Sequence, residues 1–214
     1  MRVLLIAFSC VASLLGQATA LDLIHISDTH VADFRGVHPD LAAARRSNAE
    51  SYGKFESFAA EFARGPRATL VHTGDIVDAV CFDGAEGKDV YGQISLVKRA
   101  LAPVRHPYYL ALGNHDVECY RRDPAKAGAL RGDQSVAAAT RALWAKEFRF
   151  FRKRSYYSVP LRVGRTRYRL YMLDNGQSFE QGGRPFFVEQ MAWLGQQLRK
   201  RPQERAIFAL HIPL

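Results

Sequence analysis

The chain has 214 residues, of which 48% are hydrophobic and 24% are charged, and its formal net charge at pH 7 is +9. This composition supplies enough apolar side chains for one sizeable core and excludes an intrinsically disordered or fibrous protein. The positive charge favours anionic partners, a class that includes nucleic acids, lipid headgroups and phosphorylated small molecules.

The first twenty residues resemble a secretory signal peptide. Arg2 precedes an apolar stretch that runs to Leu15, and Ala18-Thr19-Ala20 gives a small-x-small cleavage pattern. A membrane anchor is the alternative, but the apolar stretch is shorter than the about 20 residues that span a bilayer. We therefore expect residues 1–20 to be removed and the domain at 21–214 to be periplasmic or extracellular, without a membrane span.

Strand-like and helical patterns alternate along the rest of the chain, which favours an α/β fold with a mostly parallel sheet. Short apolar runs predict strands over residues 21–26, 68–73, 108–112, 156–163, 167–173 and 206–210. Apolar residues at helical spacing predict helices over residues 42–62, 93–101, 134–151 and 187–200. No linker separates a second domain.

Four of these predicted strands are followed by polar residues that can bind a metal ion. Asp28 and His30 follow the first strand, Asp75 the second, Asn114 the third and His211 the last. Ligands of open α/β sheets lie just beyond the carboxyl ends of the strands, so we expect these side chains to meet. Carboxylate, imidazole and amide donors without a thiolate suit Mn, Fe or Zn.

The motifs as a set resemble those of the calcineurin-like metallophosphoesterases. They are Asp28-x-His30, Gly74-Asp75-x-x-Asp78, Gly113-Asn114-His115-Asp116 and His211. The resemblance implies a four-layer α/β/β/α sandwich, with two packed mixed sheets flanked by helices, and a centre of two metal ions. It implies that Asp28 and His30 hold one ion, that Asp75 bridges both, and that Asn114 and His211 hold the other. The residue matching His115 protonates the leaving group or stabilises the transition state in that family.

The resemblance implies a phosphoesterase that hydrolyses a phosphate mono- or diester of a phosphorylated small molecule with a metal-bridging hydroxide, and the N-terminal pattern predicts that it is secreted. The family's later Gly-His-x-His motif has no match, so we expect the domain at 21–214 to be truncated at its C-terminus. The alternative is a catalytically impaired basic binding module on the same fold. A nucleic-acid partner fits the charge but has no further support, and no pattern indicates an oligomeric state.

Several other residues have two interpretations each. Asp78 either orients His30 or begins a helix, and we favour the first because metal-bound imidazoles usually donate their free N–H to an acceptor. Cys81 and Cys119 either form a disulfide or stay free. His25 and His72 lie inside predicted strands, and we expect both to be core histidines.

The segment from Arg149 to Tyr157, with the sequence RFFRKRSYY, mixes basic and aromatic residues. Proteins that bind single-stranded nucleic acid combine the same residue types. A solvated face at the end of an amphipathic helix is the alternative, and we favour it from the sequence.

Overall fold

The structure is a computed structural model that describes residues 20–123, 125–126 and 129–213. The predicted signal peptide therefore lies outside the described residues, except for residue 20.

Three short parallel strands form the first sheet, in the order β1-β2-β5. They are β1 (Leu23–Ile26), β2 (Thr69–His72) and β5 (Tyr108–Leu110). The central strand β2 is buried along its whole length, which accounts for its nearly continuous apolar sequence. Because the strands are parallel, their carboxyl ends meet at one edge of the sheet.

The second sheet has the order β10-β9-β8 and packs against the first. Its strands are β8 (Tyr157–Val163), β9 (Thr166–Met172) and β10 (Arg205–Ala209). β9 pairs antiparallel with β8 and parallel with β10, so this sheet is mixed, whereas the described strands of the first are all parallel. The two sheets share a buried cluster that includes Val71, Ala111, Leu170 and Met172. The predicted α/β architecture with packed sheets is confirmed.

A third sheet of four strands, in the order β4-β3-β6-β7, was not predicted. Its strands are β3 (Cys81–Asp83), β4 (Asp89–Val90), β6 (Cys119–Arg122) and β7 (Leu130–Asp133). Cys81 and Cys119 lie opposite each other in the parallel pair of β3 and β6 and form a disulfide. The bond spans 38 positions, and a loop of that length corresponds to about 4 kcal/mol in the chain-entropy model.

Helices flank the packed sheets on both sides. They are α1 (Pro39–Ala44), α2 (Ser51–Arg64), α3 (Gln93–Leu101), α4 (Ala137–Glu147) and α5 (Arg184–Lys200). Phe55 of α2, Val97 of α3 and Trp144 of α4 belong to the same buried cluster as Leu70 and Leu110 of the first sheet. α5 lies against the second sheet, where the rings of Trp193 and Tyr171 are in edge contact. Among the helices of the described residues, none combines the length and apolar character needed to cross a bilayer.

Two predicted helices are shorter than expected. The helix predicted over residues 42–62 is interrupted between α1 and α2, because Arg45 and Asn48 direct their side chains to Asp78. The helix predicted over residues 134–151 begins only at Ala137 and ends at Glu147. Gln134 lies outside it, and its side chain binds the backbone of Gly176 and Ser178 instead.

His72 joins the ends of β1 and β2 through a chain of hydrogen bonds. Its Nδ1 accepts the amide hydrogen of Gly74 at 3.2 Å, and its Nε2 lies 2.9 Å from the hydroxyl of Thr29. That hydroxyl donates to the carbonyl oxygen of Ile76, so it accepts from Nε2–H and the imidazole is neutral. Burial lowers the pKa of His72 to about 3. His72 is thus a core histidine as predicted, whereas the prediction for His25 is wrong because that residue is exposed.

Acidification is expected to destabilise the protein in part through His72. The pKa of this imidazole is depressed on folding from 6.5 to about 3, so between these values the unfolded chain binds a proton that the folded protein excludes. The contribution of the neutral His72 to the free energy of unfolding is fully present above pH 6.5 and is lost as the pH falls toward 3. The loss is up to about 1.4 kcal/mol per pH unit. In urea unfolding across this range, His72→Gln should lose less stability per pH unit than the parent. The exposed control His25→Gln should keep the parental slope, and a parental slope in His72→Gln would contradict the prediction.

Candidate metal centre

The loops that follow β1 and β2 run side by side beyond the edge of the first sheet. The amide of Asp28 donates to the carbonyl oxygen of Gly74, and the amide of His30 donates to that of Asp75, both at 3.0 Å. The ladder of β1 and β2 therefore continues past the strands. This pairing places the side chains of Asp28, His30 and Asp75 next to one another.

Three residues of these loops have a strained backbone. The φ angles of Asp28, His30 and Asp75 are 57°, 43° and 52°, and within the described residues no other non-glycine residue has a positive φ. A non-glycine residue in this left-handed region costs about 1–3 kcal/mol. Asp and His tolerate it better than most residues. The strain therefore coincides with the residues that the sequence assigns to the site.

One carboxylate oxygen lies at the centre of the site. Asp75 Oδ2 is 3.2 Å from His211 Nε2, 3.7 Å from His115 Nε2 and 3.9 Å from His30 Nε2. His30 Nε2 also lies 3.9 Å from Asp28 Oδ1. The structure thus brings together four of the five predicted ligands and the predicted catalytic histidine, from positions far apart in the chain.

Asn114 is the fifth predicted ligand, and its backbone lies beside the same carboxylate. The next residue, His115, donates its amide hydrogen to Asp75 Oδ1 at 3.0 Å. The Asn114 side-chain amide forms no hydrogen bond with any described residue. Its role as a ligand stays a prediction.

Asp78 lies beside His30, as the favoured interpretation of the sequence expects, but His30 Nδ1 has no hydrogen-bond partner among the described residues, so the role of Asp78 in orienting His30 stays a prediction. The carboxylate of Asp78 accepts hydrogen bonds from Arg45 and Asn48, and its Oδ1 lies 3.5 Å from His30 Nδ1. Burial lowers the pKa of His30, but Asp78 and Asp75 outweigh this effect and the pKa is raised. Arg45 and Asn48 were missed by the sequence analysis because they fall within a stretch whose periodicity predicts a helix.

His115 is held by its Nδ1, which leaves its Nε2 directed at the centre. Nδ1 lies 2.8 Å from the carbonyl oxygen of Asp78 and 2.8 Å from the Tyr120 hydroxyl. Since a carbonyl oxygen only accepts, Nδ1 carries a hydrogen, and Nε2 is the nitrogen that can exchange a proton with a bound molecule. Burial lowers the pKa of His115, although the nearby Asp75 charge opposes this.

Asp116 lies just behind the centre and binds two of its loops together. Its fully buried carboxylate accepts the amide hydrogens of Ile76 at 2.9 Å, Val77 at 3.0 Å and Gly113 at 2.8 Å. Burial and the charge of Asp75 raise its pKa to about 7. The sequence analysis included Asp116 in a motif but assigned it no role.

Asn175 positions the loop that carries His211. Its Oδ1 accepts the amide hydrogens of His211 and Ile212, each at 3.2 Å, and its Nδ2 donates to the carbonyl oxygen of Ile212. Asp174 beside it is buried and paired with Arg141 at 2.8 Å. In the sequence, no motif at Asp174 or Asn175 distinguishes these roles from those of residues in an ordinary turn.

The residues of the centre fit a metal ion. Two groups of three side chains can each offer ligand atoms that lie within 4.8 Å of one another, and His30 belongs to both. The group with Asp78 is the less suitable one because that carboxylate is already bonded to Arg45 and Asn48. In the other group, with Asp28 and Asp75, the carboxylate and imidazole atoms face one another directly. His211 adds its Nε2, which lies 3.2 Å from Asp75 Oδ2. The Nδ1 atoms of His30 and His211 are buried without a hydrogen-bond partner among the described residues.

Two glycines allow the loops of the centre to touch. A Cβ atom on Gly74 would lie 2.7 Å from the amide nitrogen of Gly113, and one on Gly113 would lie 2.5 Å from the amide nitrogen of Asp75. Real Cβ atoms essentially never approach so closely. The backbones of residues 74–75 and 113 therefore meet because neither glycine has a side chain.

Gly113→Ala is expected to separate these loops and weaken the centre. Overpacking of this kind costs about 1–3 kcal/mol, and the displacement would also move Asp75 away from His211. Thermal unfolding should show a lower midpoint, and metal analysis should show lower occupancy than in the parent. Gly53→Ala is the matched control because its Cβ would meet nothing within 4 Å. Gly53 lies in the first turn of α2, where the change should raise the free energy of unfolding by up to about 1 kcal/mol. Parental metal content in Gly113→Ala would contradict the prediction.

Comparison with known families agrees with this geometry. The family model described as calcineurin-like phosphoesterase matches residues 21–214, a range that contains every residue of the centre. A search of curated proteins found no match. The chain therefore belongs to the calcineurin-like phosphoesterase family.

Proposed function

We propose that the protein is a dinuclear metal-dependent phosphoesterase that acts on a phosphorylated small molecule. The observation that carries this proposal is the convergence of three imidazoles on one carboxylate oxygen of Asp75. Asp28, His30, Asp75, Asn114 and His211 would hold two ions, and the donor set suits Mn, Fe or Zn. When bound, such ions act as Lewis acids toward a phosphoryl group and supply a nucleophile from water at neutral pH.

Asp75 is suited to bridge two ions because neighbouring groups fix the orientation of both of its carboxylate oxygens. Oδ1 accepts the amide hydrogen of His115, and Oδ2 faces the imidazoles. Burial raises the pKa of Asp75, but the hydrogen bond from His211 and the charge of His115 outweigh it, so the net shift is downward. The carboxylate is therefore ionised at neutral pH, as a metal ligand must be.

His115 is suited to transfer a proton to the departing oxygen of the ester. Its Nδ1 is fixed by Asp78 and Tyr120, so Nε2 stays directed at the centre. Hydrolysis places negative charge on the leaving oxygen, and a positioned acid at this point lowers the barrier. The contribution should be greatest for alkyl esters, whose leaving groups are poor.

The proposal is tested by hydrolysis of p-nitrophenyl phosphate and bis(p-nitrophenyl) phosphate with and without Mn. Asp75→Asn should lose both metal and turnover while remaining folded, because Asn also tolerates a left-handed backbone. His115→Ala should keep its metal and lose about 10²- to 10⁴-fold in rate on an alkyl ester. Elemental analysis measures the metal, and the two substrates distinguish a monoesterase from a diesterase.

His25→Ala serves as the control, since this exposed histidine lies outside the centre and should leave both metal and rate unchanged. Activity that persists in a metal-free Asp75→Asn variant would falsify the mechanism. Absence of hydrolysis of every ester by the metal-loaded parent would instead favour the impaired binding module.

We also propose that the protein is exported. The N-terminal signal-like pattern supports export, and so does the Cys81–Cys119 disulfide, because such bonds persist mainly in oxidising compartments. When it is expressed with its own N-terminus in a bacterial host, the protein should be found outside the cytoplasm. N-terminal sequencing should then begin at Leu21, and a cytoplasmic chain that still begins at Met1 would contradict export.

A further inference from the structure

The basic and aromatic segment at 149–157 does not continue a helix, contrary to the interpretation that the sequence favours. α4 ends at Glu147, a short 3-10 helix covers Arg149–Phe151, and residues 152–156 are irregular until β8 begins at Tyr157. The charges are therefore not spread along a solvated helix face. They surround a cleft on the side of the protein where β5 begins.

The cleft consists of two adjoining cavities. The first, of about 780 Å³, lies between the residues that precede β5, including Arg105, and the 3-10 helix. The second, of about 800 Å³, extends toward β8 and Trp193 of α5. Arg149, Phe150 and Arg152 line both cavities, so one elongated ligand could occupy the two together.

Five cations surround this cleft without acidic partners. They are Arg105, Arg149, Arg152, Lys153 and Arg154, and all are exposed. Within the part of the chain that the structure describes, none of them has a carboxylate within the 4.0 Å of an ion pair. The acidic residue in the first cavity, Glu147, is paired with Lys98 at 2.8 Å. The cleft thus presents unpaired positive charge, which is complementary to a polyanion.

Aromatic rings lie between these charges. Tyr108 and Tyr109 line the first cavity, Tyr157 and Trp193 line the second, and Phe150 lines both. Tyr108, Tyr109 and Trp193 are only partly buried. The rings of Phe150 and Tyr157 stack on each other, with 5.2 Å between their centroids, so the first three rings are the ones that could receive a base. A nucleobase can stack on such a ring whatever its sequence, while the cations neutralise the neighbouring phosphates.

A membrane surface fits the cleft less well. Proteins that bind lipid surfaces insert large exposed apolar side chains. The large hydrophobic residues that are most exposed among the described residues lie elsewhere: Tyr91, Phe179, Val188, Leu198, Phe208 and Ile212. The aromatic rings of the cleft are partly buried instead, so a ligand that enters the cleft would reach them more readily than a membrane surface would.

The cleft is separate from the metal centre. Tyr108 begins β5, whereas Asn114 follows its carboxyl end, and the residues that line the two cavities include none of the residues assigned to the centre. We propose that this cleft binds single-stranded nucleic acid, with the phosphates on the arginines and bases stacked on the partly buried rings. The inference does not depend on the proposed hydrolysis.

Fluorescence anisotropy with a labelled oligothymidylate of about 12 nucleotides tests the proposal on the full protein. The parent should bind, with an affinity that falls as salt rises. Arg149→Ala combined with Arg152→Ala should weaken binding, and the slope of log affinity against log salt should fall by about 1.4, which is about 0.7 for each lost phosphate contact. A denaturing gel should show the oligonucleotide intact.

Arg165→Ala combined with Arg167→Ala is the matched control, since both are exposed arginines of the β8–β9 hairpin outside the cleft. It makes the same charge change and should leave binding unchanged. Both double variants should unfold thermally at the parental midpoint, which shows that each is folded whether or not the protein hydrolyses an ester.

An abasic strand of the same length should bind at least about five-fold more weakly, because it lacks the bases that stack. Equal binding of the abasic strand would overturn the proposal, since charge alone would then account for affinity. Equal weakening by the two double variants would overturn it as well. So would parental binding to phosphatidylglycerol vesicles together with no binding to the oligonucleotide.

Discussion

The geometry of the candidate metal centre depends on one buried carboxylate that does not face it. Asp116 accepts backbone amides from Ile76, Val77 and Gly113, and its own carbonyl oxygen accepts the indole N–H of Trp144 at 2.8 Å. Without this carboxylate, three amides would be buried unpaired, at about 1–3 kcal/mol for each. Asp75 directly precedes Ile76, and Asn114 and His115 directly follow Gly113. The bonds from Asp116 to Ile76 and Gly113 therefore set the distances between the side chains of these three residues.

The same region concentrates more negative charge than its own side chains neutralise. Burial and the charge of Asp75 raise the pKa of both Asp116 and Glu118 to about 7. Of the carboxylates of this region, Asp78 alone forms an ion pair with an arginine among the described residues, namely Arg45. Neighbouring carboxylates that disfavour each other's ionised form are stabilised by an added cation. The electrostatics of the site therefore give a reason for metal binding that is independent of ligand geometry.

The sequence predicted those parts of the site that are attached to regular elements. Asp28, His30, Asp75 and His211 could be identified because each follows a short apolar run that predicts a strand. Helix α3 was predicted with its observed limits because Gly92 and Pro103 flank a periodic segment. Arg45 and Asn175 could not be identified in this way. Each bonds to residues 33 to 37 positions away, and a loop residue carries no periodicity that would indicate such a partner.

The third sheet, which the sequence analysis did not predict either, explains how the strained loops are kept in place. Its strands β3 and β6 follow the loops that carry Asp75 and His115, and the Cys81–Cys119 disulfide joins these two strands. Asp116 fixes the same loops where they leave the first sheet. Both attachments lie close after Asp75 in the chain, so relaxing its left-handed backbone would disturb the amide bonds to Asp116 or the pairing of β3 with β6. Strain of this kind persists only where its surroundings impose it, and here a buried carboxylate and a cross-link both restrain the segment that follows Asp75.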